Sequence, residues 1–150
     1  MDVTAHLDAP CEPARLFGLI DELTEYPQWM PLAHRVSITS PTHDGRPAWE
    51  VELRARLGPF ARSKRLRMER TVHEPTAAHV QFERVELDGR QHAPWLLDAT
   101  VSEHAGGSRL EMVLHYGGAL WTGGVMERVL AEQIVAGRER LLALVADLRP

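Results

Sequence analysis

The chain has one cysteine, Cys11, among its 150 residues. A single thiol closes no internal disulfide, which excludes a disulfide-stapled scaffold and fits a reducing, cytoplasmic setting. Lysine is equally scarce: Lys64 is the only one in a Lys+Arg total of 17, a bias that reads as genome base composition. No apolar run approaches the ~18 residues of a membrane-spanning helix. The opening MDVTAHLDAP has neither a basic n-region nor an apolar h-region, so no signal peptide is expected. The GxSxG, GxGxxG and Walker A patterns are missing. The eight histidines (positions 6, 34, 43, 73, 79, 92, 104 and 115) include no pair at helix or strand ligand spacing and no HExxH or Cys/His cluster. No metal and no cofactor is therefore expected. A net charge of -4 argues against nucleic acid or an anionic membrane as partner.

What remains is an ordinary soluble composition, 44% hydrophobic and 25% charged, at a length that suits one domain over residues 1–150 with a sizeable core. Its patterning is clear. Val3 to Leu7 alternates as a half-buried strand does, and Asp8-Ala9-Pro10 breaks it. Glu12-Pro13 opens a helix whose apolar side is Ala14, Leu16, Phe17, Leu19, Ile20 and Leu23. Glu25 to Pro31 is too proline-rich for a long helix and reads as a short helix or tight loop anchored by Trp29. Strand patterns then follow over 35–40, 48–57, 62–72, 78–87, 93–102 and 109–116. Val36 and Ile38 share one face. So do Trp49, Val51, Leu53, Ala55 and Leu57; Leu66, Met68 and Val72; and Leu110, Met112, Leu114 and Tyr116.

Two turns set expected registers. Asp88-Gly89 reads as a two-residue hairpin loop, which would pair Phe82 with Trp95, Val80 with Leu97 and Arg84 with Ala93. A turn near Ala105-Gly106 would set Leu97 opposite Leu114 and Trp95 opposite Tyr116. From Ala119 to Leu148 the chain reads as one long amphipathic helix with Met126, Leu130, Ile134, Leu141, Leu144, Val145 and Leu148 as its stripe. Gln133 and Gly137 interrupt that stripe. A long helix laid on an antiparallel sheet commonly encloses a cavity, which makes ligand binding the first functional question.

The run Arg54, Arg56, Arg62, Lys64, Arg65, Arg67 and Arg70 has few interleaved aromatics. A turn at Gly58 to Ala61 would place Glu50 and Glu52 near Arg65 and Arg67, so a solvated outer face of modest ion pairs is expected. Arg70 and Arg84 differ, because both fall in phase with the inward face. Either they reach water or pair with Glu83 or Glu86 at the rim, or one anchors a polar group of an apolar ligand. Gly117-Gly118 and Gly123-Gly124 read as flexibility at the helix start or as a hinge. Cys11 reads as an inert thiol.

The order of elements, with the Asp8-Ala9-Pro10 step, the Leu16-Phe17 helix, the segment Tyr26-Pro27-Gln28-Trp29-Met30-Pro31 and Leu114-His115-Tyr116-Gly117-Gly118 leading into the long helix, resembles the START-like (SRPBCC) superfamily. The likeness is to its polyketide cyclase/dehydrase and lipid-transport branch and covers essentially the whole chain. It implies an α+β helix-grip fold: a curved antiparallel seven-stranded sheet around a long C-terminal helix, with two short helices after the first strand. It also implies an apolar cavity between sheet and helix.

The residues expected to line that cavity are Trp49, Met68, Arg70, Phe82, Arg84, Trp95, Met112, Tyr116, Met126 and Gln133. The methionines suit an adaptable wall, and Gln133 and the Tyr116 hydroxyl would supply polar contacts. Arg84 and Tyr116 are the candidates for catalysis, His115 alternating to the outer face. The expected function is binding or transport of a hydrophobic small molecule of lipid, polyketide or isoprenoid type. The alternatives are a polyketide aromatase/cyclase-like enzyme and a protein-interaction or stress-associated module with a filled core. Oligomeric state is left open.

Overall fold

The computed structural model describes residues 2–57, 59–117 and 125–147, with the side chains of all of these except 57, 125, 126 and 147. The elements in order are β1 (Asp2–Ala9), helix α1 (Pro13–Phe17), a 3-10 segment (Leu23–Gln28), β2 (Ala33–Thr39), β3 (Ala48–Leu57), β4 (Phe60–Glu74), a 3-10 turn (Pro75–Ala77), β5 (His79–Arg84), β6 (Trp95–His104), β7 (Gly107–Tyr116) and helix α2 (Val125–Asp147). The expected two short helices, six further strands and long helix are all present. The expected helix residues 119–124 and 148, and the possible hinge at Gly118, Gly123 and Gly124, lie outside the described residues.

The seven strands form one antiparallel sheet in the order β1-β7-β6-β5-β4-β3-β2. Strands β2 to β7 are a meander. β1 instead pairs with β7, Leu7 facing Leu110 and Val3 facing Leu114. β1 and β2 are therefore opposite edges, and α1 with the 3-10 segment carries the chain across the sheet between them.

Alternation delivers the inner face as expected. Trp49, Val51, Leu53 and Ala55 on β3, Leu66 and Met68 on β4, and Val80 and Phe82 on β5 are all buried. β6 and β7 meet in a two-residue turn at Ala105-Gly106, both at positive φ (48° and 82°). That is the backbone a tight hairpin needs, and it sets Trp95 opposite Tyr116 and Leu97 opposite Leu114, as expected.

Three expectations need correction. The connection between β5 and β6 is not a two-residue hairpin. The chain leaves β5 after Arg84 and lies along β4 instead, where the Val85 N–H donates to the Arg67 carbonyl at 3.0 Å and the Glu86 carboxylate accepts the Arg67 N–H at 2.9 Å. Asp88 and Gly89 do turn, the Asp88 carboxylate accepting the Arg90 N–H at 3.0 Å, but at the tip of this longer loop. Phe82 therefore faces Leu97 and Val80 faces Ala99. The slip is two residues, so every side chain keeps its face.

Secondly, Val72 does not share the face of Leu66 and Met68: a bulge between Arg70 and Val72 sets Val72 opposite Gln81 and His73 opposite Val80. Val36 and Ile38 do share a face as expected, opposite Val51 and Trp49, with Ile38 76% exposed on the edge strand β2. Thirdly, α1 is regular only from Pro13 to Phe17, and turns carry Leu19 and Ile20 into the core.

The outer face also departs from a solvated ladder. Glu50 faces Arg67 and Glu52 faces Arg65 as expected. Yet Arg67 and Glu69 are only 5% and 3% exposed, covered by the returning loop. They form an ion pair, Arg67 also donates to the carbonyls of Val85 (3.0 Å) and Ser40 (3.4 Å), and Arg46 reaches Glu69 at 3.3 Å. The guanidinium is thus satisfied although it lies out of water.

Removing one partner of this pair strands the other. Glu69→Ala should lower unfolding free energy by about 3 kcal/mol. Glu52→Ala on the same face should change it by less than about 0.5 kcal/mol. Urea denaturation of both variants decides; equal effects would show that the covered pair adds nothing.

Candidate ligand-binding cavity

Between α2 and the sheet lies an apolar, half-open cavity of about 120 Å³. Its floor is the alternation of three adjacent strands: Val3, Ala5 and Leu7 of β1, Leu110, Met112 and Leu114 of β7, and Trp95 and Leu97 of β6. Leu53 of β3 joins from further along the sheet. One end is closed by Trp29, Met30 and Leu32, and the roof is the face of α2 that carries Leu130, Gln133, Ile134, Gly137, Arg138 and Leu141.

The roof is held at two points, both where the helix stripe lacks apolar bulk. Gln133 turns its side-chain oxygen to the backbone N–H of Leu32 at 2.6 Å. One turn on, Gly137 lies against Trp29: a Cβ there would stand 3.5 Å from both the indole ring and the Trp29 carbonyl. The residues are four apart, so they share a face. Together they dock the helix onto the Trp29–Leu32 segment.

Trp29 is itself fixed. Its indole N–H donates to the Leu19 carbonyl at 3.2 Å, and its ring lies 4.6 Å from that of Tyr26. The Tyr26 hydroxyl donates to the Ile20 carbonyl at 2.8 Å, and burial pushes its phenol well above the usual range. The aromatic chain continues edge-on from Tyr26 to Phe82 (6.0 Å) and from Phe82 to Trp49 (5.5 Å), whose N–H donates to Glu22 at 2.8 Å.

The expected lining residues therefore divide. Trp95, Met112 and Gln133 stand on the cavity wall. Trp49, Met68 and Phe82 are buried on the same inner face in the packed core. Tyr116 lies beside Trp95, ring centroids 5.8 Å apart. Burial, and then the neighbouring Glu127 carboxylate with which it hydrogen-bonds, raise its phenol above the ordinary value. The side chain of Met126 lies outside the described residues.

The two inward arginines have protein partners. Arg70 donates to the Asp21 carbonyl at 3.0 Å and sits 5.8 Å above the Trp49 ring. Arg84 pairs with Glu86 at 3.4 Å and donates to the Ala93 carbonyl at 3.3 Å. Its cation, after burial, helps lower the Lys64 ammonium. His115 is on the outer face, paired with Asp2. Cys11 is half-buried, its Sγ 3.7 Å from the Ser108 hydroxyl. Among the described residues, no group of three or more His, Cys, Asp or Glu is placed to hold a metal ion.

Sequence reasoning missed the β1 wall, the Met30–Leu32 end and Arg138. The β1 wall follows from β1 pairing with β7, which alternation does not encode. Arg138 carried a signal in the helix itself: the residues three and four positions away are Ile134, Val135, Leu141 and Leu142, so no acid on α2 can pair with it.

The sequence profile of the polyketide cyclase/dehydrase and lipid transport family matches residues 1–148. Comparison with curated protein sequences finds no match. Solved structures are similar in fold at low identity. A START superfamily protein from Mycobacterium smegmatis is 15% identical, with 99% of each chain covered and a TM-score of 0.69. The Zhui aromatase/cyclase from a Streptomyces species is 10% identical, with 97% of this chain and 93% of that one covered and a TM-score of 0.70. TTHA0849 from Thermus thermophilus is 15% identical, with 95% and 92% covered and a TM-score of 0.66.

The two docking points respond to substitution with opposite signs. Gln133→Leu leaves the Leu32 N–H without its acceptor and should cost about 1–3 kcal/mol. Gly137→Ala should gain up to about 1 kcal/mol from helix propensity, since its methyl meets Trp29 at ordinary contact distance. Thermal and urea unfolding of the two variants read both signs.

Proposed function

The chain belongs to the polyketide cyclase/dehydrase and lipid-transport family, and on that footing we propose that it binds a hydrophobic small molecule of lipid, polyketide or isoprenoid type between the sheet and α2. The observation that carries this reading is the cavity under α2, walled by aliphatic and aromatic side chains from β1, β6 and β7. Gln133 supplies a polar contact at the wall. Its oxygen is taken by Leu32, and among the described residues its amide N–H groups have no partner. They would donate to a ligand oxygen.

At about 120 Å³ the resting cavity is smaller than the several hundred Å³ of a typical drug-sized site. It suits one ring or a short chain segment, and a larger ligand would enter by displacing α2 from its docking points. Binding would be driven by apolar burial, at about 0.8 kcal/mol per methylene.

An aromatase/cyclase-like activity is the second reading, and Tyr116 is what favours it. Its phenol, held protonated by burial and Glu127, flanks Trp95 on the cavity wall and would serve as a proton donor. Aldol chemistry also needs a base, and along the described wall the His6 side chain turns to the outer face with Glu111, which leaves Arg138 as the titratable side chain. Binding without turnover is therefore the better-supported function. Turnover of a poly-β-ketone mimic that disappears in Tyr116→Phe or Arg84→Met would reverse that preference.

Titration with a series of straight-chain alcohols tests the binding reading. Affinity should rise about four-fold per added methylene and then level off when the cavity is full. Leu114→Trp, which fills the floor, should abolish the rise. A flat series with the unaltered protein would reject the proposal.

A further inference from the structure

We propose that Arg138 is the anion anchor of the cavity and that its ligand is an apolar acid, with a hydrocarbon body beneath α2 and a carboxylate at Arg138. The inference rests on the ligand-binding reading above and specifies the chemistry of what is bound.

Arg138 is a half-buried arginine on the cavity wall. Its Nε donates to the His6 carbonyl at 2.9 Å, which fixes the guanidinium against β1 at one corner. Among the described residues its two Nη groups have no partner and no carboxylate pairs with it. The surroundings explain why. On α2 its helical neighbours are Ile134, Val135, Leu141 and Leu142. On β1, Ala5 and Leu7 flank His6 on the wall, while Asp8 is engaged by Arg109 at 2.6 Å. Glu111, paired across the sheet with His6, belongs to the outer face.

The other arginines drawn into the protein contrast with it. Arg67 has Glu69, Arg84 has Glu86, and Arg70 has the Asp21 carbonyl and the Trp49 ring. A guanidinium half out of water with both Nη groups unused gains most from a planar anion that accepts from both, which is what a carboxylate offers. Because Arg138 shares its cavity with apolar walls, that anion must carry a hydrocarbon body. Arg70 and Arg84, the arginines expected for this role from strand alternation, both have protein partners.

The test is calorimetric titration at pH 7.5 with octanoate and octan-1-ol, which share a chain and differ in the head. The unaltered protein should bind octanoate at least about ten-fold more tightly. Arg138→Gln should remove that preference while leaving octan-1-ol affinity within about two-fold, and Arg138→Lys should restore part of it. Equal affinity for both probes in the unaltered protein would overturn the anchor and leave the cavity reading standing. So would an Arg138→Gln variant that loses both probes equally. If neither probe binds, the cavity reading falls and the anchor with it. The comparison on the unaltered protein decides without any variant having to fold.

Discussion

The docking of α2 onto the segment Trp29–Leu32 is the constraint on which the interior depends. A helix over a sheet of this width has many ways to lie. Here one hydrogen bond, from the Leu32 N–H to Gln133, and one close approach, of Gly137 to Trp29, select a single placement. An all-apolar stripe would press the helix down without choosing its rotation. A polar atom that must meet a particular N–H, next to a residue with no side chain, fixes both rotation and height. The space left beneath α2 is what this spacing leaves unfilled.

The inner face of the sheet is shared by two structures of different character. Toward β3, β4 and β5, aromatic rings from Trp29 through Tyr26 and Phe82 to Trp49 fill the space, and each phenol or indole polar atom in that chain has a partner. Toward β1, β6 and β7 the walls are mostly aliphatic and do not meet. Rigid packing on one side thus holds open the void on the other. The returning loop over Arg67 and Glu69 stiffens the outer side of the same central strands.

Much of the fold was legible in the chain because alternation has a period of two and reports faces directly. The tight Ala105-Gly106 turn set the β6–β7 register correctly. The Asp88-Gly89 turn did not, because Val85 and Glu86 found partners on Arg67 of β4 before reaching it. That is tertiary competition, invisible to local turn chemistry. The site was less legible for a related reason. Alternation told that Trp49, Phe82 and Met68 face inward, but whether inward residues touch depends on what packs above them. The interruptions at Gln133 and Gly137 were visible, and their meaning emerged only with Leu32 and Trp29 opposite. Arg138 has a sequence signal, the lack of an acid at helical spacing, but which edge of α2 it occupies is defined only once the partner surface is known.

The pairing of β1 with β7 decides when in folding the cavity can form. Asp2 faces His115 and Ala9 faces Ser108, so one wall joins segments about a hundred residues apart along the chain. Such pairings close late, after local hairpins such as β6–β7 have formed. The roof, α2, comes later still in sequence. A partly folded chain has the aromatic core in reach but no cavity, so ligand and complete native structure become thermodynamically linked. A ligand of that cavity would act as a check on maturation, retained only by molecules in which β1 and β7 have paired.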